Sequence, residues 1–419
     1  MADVVEPYAL AARFVADRAG GVDEGLEKFK GSGAHAGGIR DGGMVVESPR
    51  HSRLCFPLLL RTPLMRAKLQ NASLIVLKLG TGILTDRRNR LAAGRVRRLV
   101  GQVARARKAG HEVVVVTSGA VGAGMEALGL ERMPARLKEL QACAAVGQSR
   151  LMAVYQELFG AAGLQVGQVL LTHDDLAHHD RHLNARNTLM ALLDRGIVPI
   201  INENDAVSFM ELTVGDNDRL SALVAALLPA DLLVVLTTAD GVVRNFGKPS
   251  ARLISTVRKI DESIRRHARG TQSRTSIGGM ASKLDAAETA MRSGVPMVIA
   301  SGTRGGMLSK ILSGEKVGTL FVPAERMKGR KRWIAFFHHP KGVLVVDDGA
   351  KEALRRRGKS LLLPGVARCE GEFATGDVVK ICDADGTEFA QGIARASLAE
   401  VEGGMAPKVV VHRDDLVVL

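Results

Sequence analysis

The stretch INENDAVSFMELTVGDND, Ile201 to Asp218, gathers five carboxylates (Glu203, Asp205, Glu211, Asp216, Asp218) and three amides (Asn202, Asn204, Asn217) directly behind the apolar run IVPI. Three other places carry compatible chemistry. LKLGTG holds Lys78 with Gly80, Thr81 and Gly82; TSGAVGAG holds Ser118 and Gly119; SIGGMASK holds Gly278, Gly279 and Lys283. Glycine turns free backbone N–H groups to face phosphate oxygens, and a following helix N-terminus adds its dipole. Lysines at two such turns point to a phosphate-rich ligand. The competing reading is structural: tight strand-to-helix connections, and a polar loop whose Asp218 caps the helix RLSALVAALL.

Several templates fail on spacing. No GxxxxGK[ST] is present, so a P-loop is excluded, and no GxGxxG opens the first βα unit. HRDD at His412 lacks the downstream Asn of a kinase catalytic loop and reads as a barrel strand and turn. GDND lacks the remaining ligands of a calcium loop. The pair His178-His179 reads as a solvated polar loop. Cys55, Cys143, Cys369 and Cys382 are too widely spaced for a disulfide framework or a metal pattern, which fits a reduced, cytoplasmic setting.

Elements of one kind are needed to hold these places together. SLIVLKLG, EVVVVTSGA, QVGQVLLT, IVPIINEND, LLVVLTTADG and PMVIASG are β-branched runs, mostly separated by helical stretches such as AAGRVRRLVGQVARARKAG. Buried strands alternating with helices predict an α/β fold: a mostly parallel sheet sandwiched by helices. In such sheets ligands bind outside the carboxyl ends of the strands, where each of these motifs sits. KGRKRW marks a boundary, after which short turn-rich runs predict a small β-barrel-like domain. The expected organisation is an extension over residues 1–70 without apolar periodicity and therefore disordered, an α/β domain over 71–327, and the β domain over 328–419.

Composition narrows the partners. The chain has 419 residues and a formal net charge of +14, which raises the question of nucleic acid. Aromatics are only 3%, so stacking platforms for single strands are scarce. The charge suits a polyanion such as ATP equally well. No apolar run reaches membrane-spanning length, and MADVVEPYAL has no basic n-region, so neither a membrane span nor a signal peptide is expected.

VLKLGTGILT, VVVTSGAVGAG, AAVGQSRLM, QVLLT, LNARNTL, IVPIINENDAV, VGDNDRLSALVA and GGMASKLDAA resemble, in order and separation, the glutamate 5-kinase family of the amino-acid kinase superfamily. The segment from RKRW to VVVHRDD resembles the PUA domain attached to many of its bacterial members. The resemblance spans about Ser73 to Leu419 and implies phosphorylation of the side-chain carboxylate of L-glutamate by ATP with Mg2+, the first step to proline. A carboxylate nucleophile is already ionised at neutral pH, so no general base is required, in keeping with the lack of a Ser-His or Cys-His arrangement. By resemblance, Lys78 and Lys283 neutralise charge on the transferred phosphoryl group. Asp218, with Asp216, holds those lysines. Asp205 and Asn217 bind glutamate, with Ser118 helping. The nucleotide falls to Lys78, Thr237, Thr238 and the run Ile277, Gly278, Gly279, Met280, Ala281, Ser282 and Lys283.

The chain departs from the family pattern at Thr238, where an Asp is usual, at Ile277, where a Thr is usual, and in a shortened stretch after GIARASLAEVEGG. The family implies a homo-oligomer, dimer or tetramer, and feedback inhibition by proline. Two other readings remain: a kinase for another substrate such as acetylglutamate, which INENDAV argues against, and an RNA-binding or RNA-modification protein using the PUA domain.

Overall fold

The computed structural model describes residues 62–86, 88–207, 216–228, 230–268, 279–323, 334 and 340–419. Strands β1 (Leu74–Leu79), β2 (Glu112–Val116), β3 (Val166–Leu171), β4 (Val198–Glu203), β5 (Leu232–Thr237), β8 (Thr256–Val257), β9 (Met297–Ser301) and β10 (Thr319–Phe321) form one eight-stranded sheet. A small hairpin of β6 (Val243–Arg244) and β7 (Arg252–Leu253) follows β5. The sheet order is β3-β4-β2-β1-β5-β9-β10-β8, and every pair is parallel except β9 with β10.

The six apolar runs expected as strands are β1 to β5 and β9. Their unbroken hydrophobicity has a direct cause. Alternate residues face opposite sides of a sheet, and both sides here are covered. Val76, Val114, Val116, Ile201, Leu233 and Val235 join one core with helices α7 (His179–Asp194), α8 (Asp216–Leu227) and α10 (Met280–Arg292). Ile75, Leu77, Val113, Val115, Ile200 and Val234 join a second core with α3 (Ala93–Lys108), α5 (Leu137–Gly160) and α11 (Met307–Leu312).

The remaining helices before the boundary are α1 (Thr62–Lys68), α2 (Thr81–Leu84), α4 (Ala120–Ala127), α6 (His173–Ala177) and α9 (Glu262–Arg265). Helix α1 lies ahead of the expected break at 70/71, so residues 62–68 of the expected extension are helical. The guanidinium of Arg66, buried, donates to the backbone carbonyls of Ser255, Glu315, Val317 and Gly318. Sequence periodicity misses this because the contact depends on one cation and four main-chain oxygens. The earlier residues of the expected extension, 1–61, lie outside the described residues.

The second sheet contains β11 (Gly342–Val346), β12 (Leu361–Leu362), β13 (Val366–Gly371), β14 (Val378–Cys382), β15 (Glu388–Ala394) and β16 (Val409–Val418) in the order β12-β16-β15-β14-β11-β13. It is antiparallel except for β11 with β14. Leu344, Val379, Ile381, Ala390, Val410 and Leu416 build its own core, closed by Leu354 of α12 (Asp348–Arg357) and Val401 of α13 (Leu398–Glu402). Helix α13 lies within SLAEVEGG, ahead of the shortened stretch, and is fixed by a capping box between Ser397 and Glu400. His412 lies within β16, as expected of a strand residue. Among the described residues no helix is long and apolar enough to cross a membrane.

Candidate active site

The carboxyl ends of β1, β2, β4 and β5 converge on the first turn of α8. Asp218 in that turn is fully buried. Its Oδ1 accepts from Lys78 Nζ at 2.5 Å, and its Oδ2 accepts from Lys283 Nζ at 3.0 Å and from Ser282 Oγ at 3.1 Å. Lys78 comes from inside β1 and Lys283 from the first turn of α10, each 5% exposed. The capping alternative therefore fails, because the carboxylate is spent on two ammonium groups and a hydroxyl. Burial pushes the Asp218 carboxyl up, but the charges of Lys78 and Lys283 outweigh it and hold the group below its ordinary range. Burial pulls the Lys283 ammonium down, with Asp218 partly restoring it. A bare buried carboxylate would be costly; between two ammonium groups it becomes a fixed anchor for both.

The turn after β1 is pinned from behind. Gly80 N–H donates to Leu236 O at 3.1 Å, tying it to β5. Arg95 from α3 donates to the carbonyls of Gly82 and Thr85. Thr237, nearly buried, ends β5, and the exposed Thr238 lies against Gly82, where an added Cβ would meet its methyl at 3.0 Å. Gly279 stands at the N-cap of α10 in extended conformation, leading into Met280, Ala281 and Ser282. Met280 is buried in the core, so only its backbone can face a ligand. Ile277 and Gly278 lie outside the described residues, as does the Asp216 side chain.

A second set lies beside the first. Asn217 Nδ2 donates to Ser118 Oγ at 3.1 Å and to Asn202 Oδ1 at 3.1 Å, and Asn202 Nδ2 donates to Gln148 Oε1 at 2.9 Å. This joins β2, β4, α5 and α8 through one line of amides. Next to it is a cavity of about 220 Å3, lined by Gln148 and Ser149 of α5, Leu170 of β3 and the β4 end Glu203, Asn204 and Asp205 among others. Helices α4 and α5 interlock beneath it. A Cβ on Gly147 would fall onto Ala120 O, and one on Gly124 onto Cys143 O.

The structure thus brings Lys78, Asp218 and Lys283 together, and links Asn217 to Ser118, with Asp205 on the neighbouring cavity. Gln148 and Arg95 were not among the residues expected from sequence. For Gln148 the available signal was its place directly after Gly147 in AAVGQSRLM. Arg95 gave none, being one of several arginines on a solvated helix.

Comparison with known proteins follows the same division. The model of the amino acid kinase family matches residues 73–301, and that of the PUA domain matches residues 342–412. Glutamate 5-kinase from Geobacter metallireducens is 46% identical over 370 residues, covering 84% of this chain and 99% of its own. Glutamate 5-kinase from Moorella thermoacetica is 45% identical over 371 residues, covering 84% and 98% respectively. Among solved structures, carbamate kinase from Giardia lamblia bound to AMP-PNP aligns with a TM-score of 0.44 at 20% identity, covering 61% of this chain and 99% of that one.

Proposed function

The chain belongs to the amino acid kinase family, among the glutamate 5-kinases, and we propose from that premise that it transfers the γ-phosphoryl group of ATP to the side-chain carboxylate of L-glutamate. The product, glutamyl 5-phosphate, begins proline biosynthesis. One carboxylate oxygen forms a bond to the γ-phosphorus as the bond to the bridging oxygen breaks, and ADP leaves. The nucleophile is ionised above a pKa of about 4.3, so no proton is removed in the step. What remains is positioning and electrostatic stabilisation.

The observation that carries the reading is the pair Lys78 and Lys283, brought from β1 and α10 onto one buried carboxylate at the sheet's carboxyl ends. Spreading the charge of the transferred group needs cations held still before it arrives. Asp218 supplies that constraint, so its role is positioning. Lys78 and Lys283 face the phosphoryl oxygens. Thr237, Thr238 and the run 277–283 hold the nucleotide, with Met280 acting through its backbone. Magnesium enters as part of the MgATP substrate, on the phosphate oxygens. Asp205 takes the glutamate ammonium, with Asn217 Oδ1 as a further acceptor, and the Ser118 hydroxyl, which accepts from Asn217, donates to the reacting carboxylate.

The test is an ATP- and Mg2+-dependent assay with L-glutamate and hydroxylamine, which traps the acyl phosphate as a hydroxamate. Formation with glutamate but not with acetylglutamate supports the reading. The reverse preference refutes it. We further read the protein as cytoplasmic, as a homo-oligomer, and as inhibited by proline competing at the glutamate site. RNA binding through the PUA domain is the second reading, favoured by that domain's presence alone. Phosphate contacts there require affinity that falls steeply with salt.

A further inference from the structure

We propose that Gln148 is a specificity-determining residue that binds the α-carboxylate of the amino-acid substrate. This rests on the glutamate kinase reading and deepens it. The argument starts from the direction of the amide line. Asn217 spends its Nδ2 on Ser118 and Asn202; Asn202 uses both ends; Gln148 spends its Oε1 on Asn202. The line therefore has a polarity. At one end Asn217 Oδ1 is left as an acceptor, and at the other Gln148 Nε2 is left as a donor. Both atoms are out of solvent, and neither has a hydrogen-bond partner among the described residues.

A buried donor without an acceptor is costly, and a ligand that supplies the acceptor removes that cost. Gln148 lines the cavity that also contains Asp205. Its other lining carboxylate is Glu203. Two carboxylates suit an ammonium and repel an anion. The α-carboxylate of a zwitterion therefore needs a donor set away from them. Gln148 on α5 supplies one without adding a counter-charge that would trap the substrate. The cavity also touches Ala120, the first residue of α4, whose helix N-terminus favours an anion on the same side. Gly147 packs directly against Ala120 of α4, and Gln148 follows it in the chain. A zwitterion thus meets an acceptor side and a donor side in one cavity.

The experiment compares L-glutamate with 4-aminobutyrate, which keeps the amine and the reacting carboxylate but lacks the α-carboxylate. Kinetics are measured for the wild type, Gln148→Met and Gln148→Glu, with 4-aminobutyrate followed both as substrate and as inhibitor. The expected result is a rise in KM for glutamate of roughly 10- to 100-fold in Gln148→Met and a larger one in Gln148→Glu, where like charge is added. The KM for ATP and the constants for 4-aminobutyrate stay close to wild type, while the Tm of Gln148→Met falls modestly because the buried Asn202 Nδ2 loses its acceptor. Equal losses on both amino compounds, a parallel rise in KM for ATP, or an unchanged preference with a lowered Tm would each overturn the assignment and leave Gln148 a structural residue. Calorimetric binding of L-glutamate separates this from the parent reading. Gln148-dependent binding without hydroxamate formation refutes the kinase reading alone; hydroxamate formation with Gln148-independent binding refutes this inference alone.

Discussion

The lysine–aspartate bridge and the amide line lie side by side, yet they are finished to different degrees. Asp218 has both oxygens occupied, by Lys78, Lys283 and Ser282, within the fold itself. The amide line ends in an unmatched donor at Gln148 and an unmatched acceptor at Asn217. On the proposed roles, the difference follows from what each set must do. Charge stabilisation works when the groups are fixed in advance, since reorganising them during transfer would use up the gain. Recognition works when binding completes hydrogen bonds that the free protein lacks, since a wrong ligand then leaves them unmade.

The largest expected effects fall on the bridge. Lys283→Met keeps the stem and removes the charge, and should lower kcat by about 10²–10³ with a smaller change in the KM for glutamate. Lys78→Met should behave alike. Loss in KM alone for either lysine would erase the distinction between the two regions. Asp218→Asn leaves two buried ammonium groups without a counter-charge and should destabilise the fold by roughly 3–5 kcal/mol at neutral pH. The pH dependence has a defined sign. The folded Asp218 lies below its ordinary 3.8, so the bridge's contribution is complete above that value and is lost as pH falls through the lower, folded one. Chemical denaturation should show the gap between wild type and Asp218→Asn closing only below about pH 4. A gap that closes between pH 5 and 7 would mean that Asp218 is protonated in the working enzyme.

The recognition half should respond more mildly and on a different axis. Asp205→Ala removes the proposed partner of the ammonium, a group that changes little during transfer. It should raise the KM for glutamate roughly 10- to 100-fold and leave kcat less affected. Unchanged glutamate KM on folded protein would return the carboxylates behind IVPI to the role of surface and caps.

The sequence made the sheet legible because burial on both faces leaves continuous β-branched runs; Lys78 and Lys283 stood out because they sit at glycine turns, while their tie to Asp218 was implied by the family resemblance. The amide line was legible only in part. Asn202 and Asn217 stand in one conspicuous stretch, but Gln148 reaches them from a helix 54 residues away from Asn202 along the chain, and nothing in a single sequence couples the two. Ser282 was expected at the nucleotide, whereas its hydroxyl also serves Asp218. Arg95 and Arg66 act on main-chain carbonyls, and such contacts leave no residue pattern to read.

Arg66 supplies the smallest expected effect on the comparison and the sharpest on the domain boundary. Its guanidinium draws on carbonyls from the β7–β8 connection and from the turn before β10, on the β8–β10 edge of the sheet and away from the β1 and β4 ends that hold the candidate site. Burial alone lowers its pKa, as expected of a cation satisfied by dipoles rather than by a carboxylate. Removing α1 should therefore weaken that edge and leave both halves of the site alone. A chain beginning at Leu59 should match the full chain in Tm, kcat and both KM values. A chain beginning at Asn71 should lose several degrees in Tm, as should Arg66→Ala in the full chain, with kinetics at lower temperature unchanged. Equal Tm values for the two truncations would show that the four carbonyl contacts contribute nothing and that order begins at β1. A change in the ratio of the two KM values would show instead that the edge reaches the site, and the bridge and the amide line would then share a support that the local contacts do not reveal.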